Sequence, residues 1–152
     1  MQQNQLNINE ITVQYKPVFK SLAKGSVNTS LNAYKNAIGF FNEDTLQMQE
    51  QFVVLYLNRA NAVIGGYRHS NGGMTGTVAD IRIILSIALK VLATGIVLFH
   101  NHPSGKLIPS QADKDLTHKM KEAAKLMDIT VIDHLIVANN TSYYSFSDEG
   151  LL

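Results

Sequence analysis

His100-Asn101-His102-Pro103, followed by Ser110 and Asp113, brings two imidazoles, a hydroxyl and a carboxylate into fourteen consecutive residues. The run before them, Gly95 to Phe99, reads as a short buried strand. Residues i and i+2 of a strand point to one face, so His100 and His102 project together, as two ligands of one metal ion must. Pro103 ends the strand because it has no N–H to give to a ladder. A third ligand, the carboxylate of Asp113, would leave the fourth tetrahedral position to water. That is the arrangement of a catalytic rather than a structural zinc site.

Each of these residues also has a plainer reading. Two histidines on a strand are compatible with two separately satisfied imidazoles. Ser110-x-x-Asp113 is a capping box for a helix that runs from Ser110 to Met127. Both readings of Ser110 and Asp113 can hold together. Leu116, Met120, Ala123, Ala124 and Met127 form the apolar stripe of that helix, and Asp113 extends the stripe by one turn. An ionised carboxylate on a buried face costs several kcal/mol unless a cation meets it. A metal held by His100 and His102 is the partner at hand. His118 lies on the polar side with Lys114, Lys121 and Lys125, and His69 reads as ordinary. His134, among the apolar residues Val131 to Val137, reads as a satisfied core histidine, with support of a metal ligand as the lesser alternative.

Hydrolysis at such a centre needs a group that takes a proton from water and passes it to the leaving amine. Glu50 opens the strand Gln51 to Asn58, and its parity matches Phe52 and Val54, which directs it to a buried face or its rim. The alternative for Glu50 is a strand-end charge in water. Glu43 and Asp44 read as solvated, Glu122 as a helix-surface residue and Glu149 as a residue of the chain end.

The elements around these residues alternate between strand and helix patterns. Ile11, Val13 and Tyr15 alternate within a polar arm, residues 1–28, and 29–152 form the body. Ser30 to Phe41 carries apolar residues at helical spacing. Gln51 to Asn58 is apolar on both faces, as a central strand is. Asn61 to His69 is its hairpin partner across Arg59-Ala60, and Ser70 to Gly73 is a loop or a break in pairing. Thr77 with Asp80 starts a largely buried helix with the polar stripe Arg82, Ser86 and Lys90, ended by Gly95. Ile129 to Asn139 and Tyr143 to Phe146 close the fold as a hairpin, with Asn139-Asn140 in its turn. The fold class is α/β.

Composition narrows the field. At 152 residues and 45% hydrophobic content, one domain with a real core is expected. There are no cysteines, hence no disulfide and no thiolate metal site. No run of eighteen apolar residues and no signal segment occurs, which suits a cytoplasmic protein without a membrane partner. The net charge of +1 argues against a protein dedicated to coating DNA but leaves room for a weak nucleic-acid contact.

The pattern His100-x-His102-Pro103, six residues, Ser110, two residues, Asp113 resembles the JAMM motif of the JAB/MPN metalloprotease superfamily. More closely, the chain resembles the RadC-like JAB domain, through Glu50 to Asn58, Gly72 to Thr77, His100 to Gly105, Pro109 to Asp113, Asp133 to Val137 and Tyr143 to Gly150. The likeness covers about residue 30 to the end. It implies a cytidine-deaminase-like fold, a central mixed sheet with flanking helices, together with a Zn2+ ion held by His100, His102 and Asp113, and Glu50 as the catalytic glutamate. It also implies a Ser110 hydroxyl that helps stabilise an oxyanion, and a protein or peptide substrate cut at a peptide or isopeptide bond. The RadC branch is named for DNA repair, so a role on or near DNA is the rival, with Arg59, Arg68, Arg82 and the helix lysines as phosphate contacts. RadC proteins usually carry a helix-hairpin-helix region before this domain. Here about thirty mostly polar residues stand in that place, which weakens the DNA reading. A third reading is a non-catalytic MPN interaction module, for which a full set of ligands and a base is superfluous.

Overall fold

The computed structural model describes residues 26–72, 79–138 and 142–152. Five strands form one sheet in the order β2-β1-β3-β4-β5, with β1 Gln51–Leu57, β2 Val63–Asn71, β3 Gly95–Asn101, β4 Thr130–Ala138 and β5 Ser142–Ser145. β3 pairs antiparallel with β1 and parallel with β4, so the sheet is mixed. A parallel pair needs a crossover, and α3, Gln111–Lys125, supplies it between β3 and β4. α1 is Ser30–Ala37 and α2 is Ile81–Lys90. The α/β architecture is the one the family resemblance implies. Among the described residues no helix is long and apolar enough to cross a membrane.

β1 and β3 are buried along their whole lengths, so each contributes to two cores. Val53, Leu55, Leu57, Val97 and Phe99 face α1, where Ala33, Tyr34 and Ala37 meet them. Phe52, Val54, Tyr56, Ile96 and Leu98 face α2 and α3, against Ile84, Ala88, Met120 and Ala124. His100 continues the second series, so the sheet alternation that fills the core also aims His100 under α3.

Asn101 points the other way and does different work. Its Oδ1 accepts from the Gln51 N–H at 2.6 Å, and its Nδ2 donates to the carbonyls of Leu46 at 2.6 Å and Gln49 at 2.9 Å. Gln51 in turn pairs through its side chain with the backbone of Asn42. The strand that carries His100 and leads into His102 is thereby tied to the residues on either side of Glu50.

β4 departs from strict alternation. Ile96 pairs with Val131 but Val97 pairs with Asp133, so Ile132 is an extra residue, a β-bulge. Val131 faces the α2/α3 core and Ile132 the α1 core, yet Leu135 and Val137 also face α1. The parity is reset after the bulge. Asp133 stabilises the irregular backbone: its Oδ1 accepts from the His134 and Ser147 N–H groups at 2.7 and 2.9 Å, and its Oδ2 from the Ser145 hydroxyl at 2.6 Å.

Several expectations shift. The helix expected over Ser30 to Phe41 is α-helical only to Ala37 and tightens to a 3-10 turn over Ile38–Phe40. β2 runs through Ser70 and Asn71, so of the two expectations there, a loop or a break in pairing, the second is the nearer: the register shifts between Phe52 and Val53 of β1. α2 starts at Ile81, not at Thr77, because Asp80 itself is the cap: its Oδ1 accepts from the Arg82 N–H at 2.9 Å. Thr77, within 73–78, lies outside the described residues, as do the Ile11-Val13-Tyr15 arm and the Asn139-Asn140 turn. α2 is amphipathic rather than largely buried, since Ile83 and Leu89 are about half exposed at 44% and 49%. It stops at Lys90, five residues before Gly95, which opens β3. Met127 falls beyond the end of α3 and is exposed.

Asn101→Ala should leave the buried Gln51 N–H and Leu46 carbonyl without this partner, lowering the unfolding free energy by about 1–3 kcal/mol in chemical denaturation. A loss below roughly 0.5 kcal/mol, the size of a neutral surface change, would contradict the clamp.

Candidate metal centre

The histidines leave the sheet together. β3 ends at Asn101, but the His102 N–H still donates to the Val137 carbonyl at 3.3 Å, so the chain stays extended for one more residue. After Pro103 the backbone turns at Gly105, whose φ of 75° lies in the left-handed region that glycine enters without strain. The turn returns the Lys106 carbonyl to His102 Nδ1 at 2.8 Å. A carbonyl can only accept, so Nδ1 of His102 carries a proton and Nε2 is the nitrogen left to face the cluster.

Asp113 arrives from the first turn of α3. Ser110 is the N-cap: its Oγ accepts from the Asp113 N–H at 3.1 Å, while Asp113 Oδ2 accepts from the Ser110 N–H and hydroxyl, both at 2.7 Å. The capping box is real and coexists with a second job. Asp113 Oδ1 lies 3.1 Å from His100 Nε2, and Oδ2 lies 3.4 Å from His102 Nε2. The two Nε2 atoms are 2.9 Å apart. The side chains of His100, His102 and Asp113 are only 5%, 14% and 15% exposed, so water does little to separate them.

Three lone-pair donors facing one another need something positive between them. Metal bonds of about 2.0–2.2 Å at tetrahedral angles place neighbouring donor atoms about 3.3–3.6 Å apart; here one ligand atom from each of the three residues lies within 4.8 Å of the others, with the two Nε2 atoms the closer pair. The three residues are a group that could hold a metal ion. Two imidazoles and one carboxylate suit a divalent ion such as zinc.

Electrostatics agree with the geometry. Burial alone pushes the Asp113 carboxyl up, but the His100 and His102 rings facing it outweigh that and hold the group well below the usual carboxylate range. The hydrogen bond it gives to Asp113, against the opposing effect of burial, raises His102 above its ordinary value.

Glu50 stands across the strand pair. Phe52 is the partner of His100 in the β1–β3 register, and continuing that register by two residues sets Glu50 opposite His102. Glu50 is partly exposed, and its charge contributes to raising His102. Ser110 is exposed, with its hydroxyl proton directed at Asp113.

His134 joins the cluster. It is fully buried, its Nε2 2.8 Å from His100 Nδ1 and its Nδ1 2.6 Å from the Thr117 hydroxyl. It is a satisfied core histidine, as read from the sequence, and its contact with His100 keeps the alternative reading, support of a metal ligand, open as well. The bulge at Ile132 puts it on this face, and no short-range pattern announces a bulge. Thr117 and Asn101 escaped the sequence analysis because each looks like a spacer between more telling residues. His69 is not idle either: its Nε2 accepts from the Asp80 N–H at 2.8 Å, ahead of α2.

In the metal-free protein the His102–Asp113 pair stabilises the fold by two opposed linkages. The raised His102 contributes below its ordinary value of 6.5 and loses its contribution as pH rises through the raised value. The lowered Asp113 contributes above its ordinary 3.8 and is lost only in stronger acid. A metal must displace the His102 proton, so the thermal stabilisation given by added zinc should grow from about pH 5.5 to about pH 7.5. A pH-independent increment in thermal unfolding would remove His102 from the ligand set.

A family model described as RadC-like JAB domain matches residues 29–151. The chain is 50% identical to a UPF0758 protein of Flavobacterium johnsoniae over 102 residues, 67% of this chain and 44% of that protein. It is 40% identical to a UPF0758 protein of Porphyromonas gingivalis over 127 residues, 84% and 55% of the two chains. A UPF0758 protein of Streptococcus gordonii is 42% identical over 119 residues, 78% and 52%. The chain thus spans about half the length of the curated relatives it matches. With this sheet, this crossover and this histidine–aspartate cluster, it belongs to the RadC-like JAB domain family.

Proposed function

We propose that the protein is a zinc-dependent hydrolase of peptide or isopeptide bonds, acting on a protein or peptide substrate. The observation that carries this reading is the convergence of His100 Nε2, His102 Nε2 and the Asp113 carboxylate opposite Glu50, at the end of the sheet. His100, His102 and Asp113 would hold the ion. Bound there, zinc would polarise the scissile carbonyl and lower the pKa of water toward neutrality.

The chain's own groups supply the rest. Glu50 accepts a proton from the attacking water and delivers it to the departing amine. Its place on the rim of a buried strand gives it access to solvent and substrate together. The Ser110 hydroxyl, by turning from Asp113 Oδ2, donates to the oxygen on which charge develops, a contribution of a few kcal/mol. The Asn101 clamp keeps the Glu50 segment in register with the histidines.

Glu50→Gln keeps size and polarity but cannot accept a proton at neutral pH. The variant should fold, keep its zinc and lose turnover by roughly a hundred- to ten-thousand-fold on peptide-library substrates. Loss of zinc would make Glu50 a ligand or a structural support instead, and undiminished turnover would move the base elsewhere, Glu43 first.

A DNA-linked role is the second reading, supported by the exposed Lys114, Lys119, Lys121 and Lys125 on α3. With a net charge of +1, binding to DNA should be weak and fade with added salt in a mobility-shift titration. Tight, salt-resistant binding would favour this reading over hydrolysis.

A further inference from the structure

We propose that Thr117 and His134 are positioning residues that hold the proton of His100 on Nδ1, and so commit its Nε2 lone pair to the metal position. The inference rests on the reading of His100, His102 and Asp113 as metal ligands.

The proton assignment follows from donors and acceptors alone. Thr117 Oγ1 lies 2.6 Å from the Asp113 carbonyl oxygen, four residues back along α3. A carbonyl has no proton, so the threonine hydroxyl donates there. The same Oγ1 lies 2.6 Å from His134 Nδ1, and with its only proton spent it must accept. Nδ1 of His134 therefore carries a hydrogen.

The His134 ring has no exposed surface and meets no carboxylate oxygen at hydrogen-bond distance among the described residues. Burial disfavours the imidazolium, so the ring is neutral and its Nε2 is bare. At 2.8 Å, that Nε2 accepts from His100 Nδ1. His100 Nδ1 is thus the protonated nitrogen, and Nε2, 3.1 Å from Asp113, is the one left to ligate.

The chain of bonds leaves Asp113 by its backbone carbonyl and passes through Thr117 and His134 to His100, whose bare Nε2 then faces the Asp113 carboxylate across the metal position. Two ligands on different elements, β3 and α3, are thereby fixed relative to each other by side chains that never touch the ion. The His134 ring cannot swing out of line, because Phe146 stacks on it at 4.8 Å and 18° and Phe52 lies 5.9 Å away. A ligating histidine ordinarily gives its second N–H to a carboxylate, a carbonyl or water. Here a neutral imidazole takes that place and adds no charge to the site.

The relay is tested in the intact protein with zinc as the probe. Nitrogen-15 NMR of the histidine rings should find His100 protonated at Nδ1, and His134 bare at Nε2, in both the metal-free and the zinc-loaded protein. Thr117→Val keeps the shape of the side chain but removes the acceptor for His134. It should bind zinc roughly ten- to a hundred-fold more weakly in competition with a chelator, well below its unfolding temperature. Thr117→Ser should restore the affinity, which a purely structural role for the threonine methyl would not allow. An unprotonated His100 Nδ1 in the unaltered protein overturns the proposal. Unaltered protein that binds zinc together with a Thr117→Val variant that binds it equally well overturns the relay alone. Unaltered protein that binds no zinc overturns the metal reading and the relay with it. If Thr117→Val does not fold, the nitrogen spectrum decides.

Discussion

The carboxylate of Asp113 has two sets of partners, and the geometry of the whole cluster follows from its serving both. Towards α3 it accepts from the Ser110 N–H and hydroxyl and starts the helix. Towards the sheet it faces the Nε2 atoms of His100 and His102. A mostly buried carboxylate with so many donors remains ionised despite its burial. Because the capping contacts fix the first turn of α3, they also fix where the negative charge sits above β3. The helix start and the candidate metal position are one construction.

β3 divides the remaining work between its faces. His100 and His102 point towards α3, and Asn101 between them points away and grips the segment on both sides of Glu50. Burial on both faces leaves β3 little freedom to twist or slide. A buried amide with three protein partners is rigid, since each bond lost would leave an unpaired group where water does not reach. The two halves of the proposed chemistry, ligands and base, are held to a common strand by a residue that belongs to neither.

How much of this was legible in the sequence depended on range. His100 and His102 could be read because strand alternation acts over two residues, and Asp113 because its place in the helical stripe acts over three or four. The interior strand around Val53, the crossover helix and the closing hairpin were legible for the same reason. The start of α2 was misplaced because Asp80, read as the third residue of a capping box, is itself the cap. Met127 was counted as buried because the stripe ran past the point where the helix ends. His134 remained open between two readings because its face depends on the pairing of β4 with β3. Thr117 and Asn101 act through partners 17 and about 50 residues away, distances at which sequence spacing carries no signal.

The bulge at Ile132 makes β4 a strand of two halves with opposite parity. Length is therefore a stricter requirement here than residue type. Removing that one residue would rotate either the stretch before it or the stretch after it to the wrong face, exchanging core side chains for site side chains all at once. Substitutions along β4 can drift one at a time, but insertions and deletions cannot. A strand transplanted from a regular sheet would have to be joined at Ile132, with Asp133 kept to receive the N–H groups of His134 and Ser147.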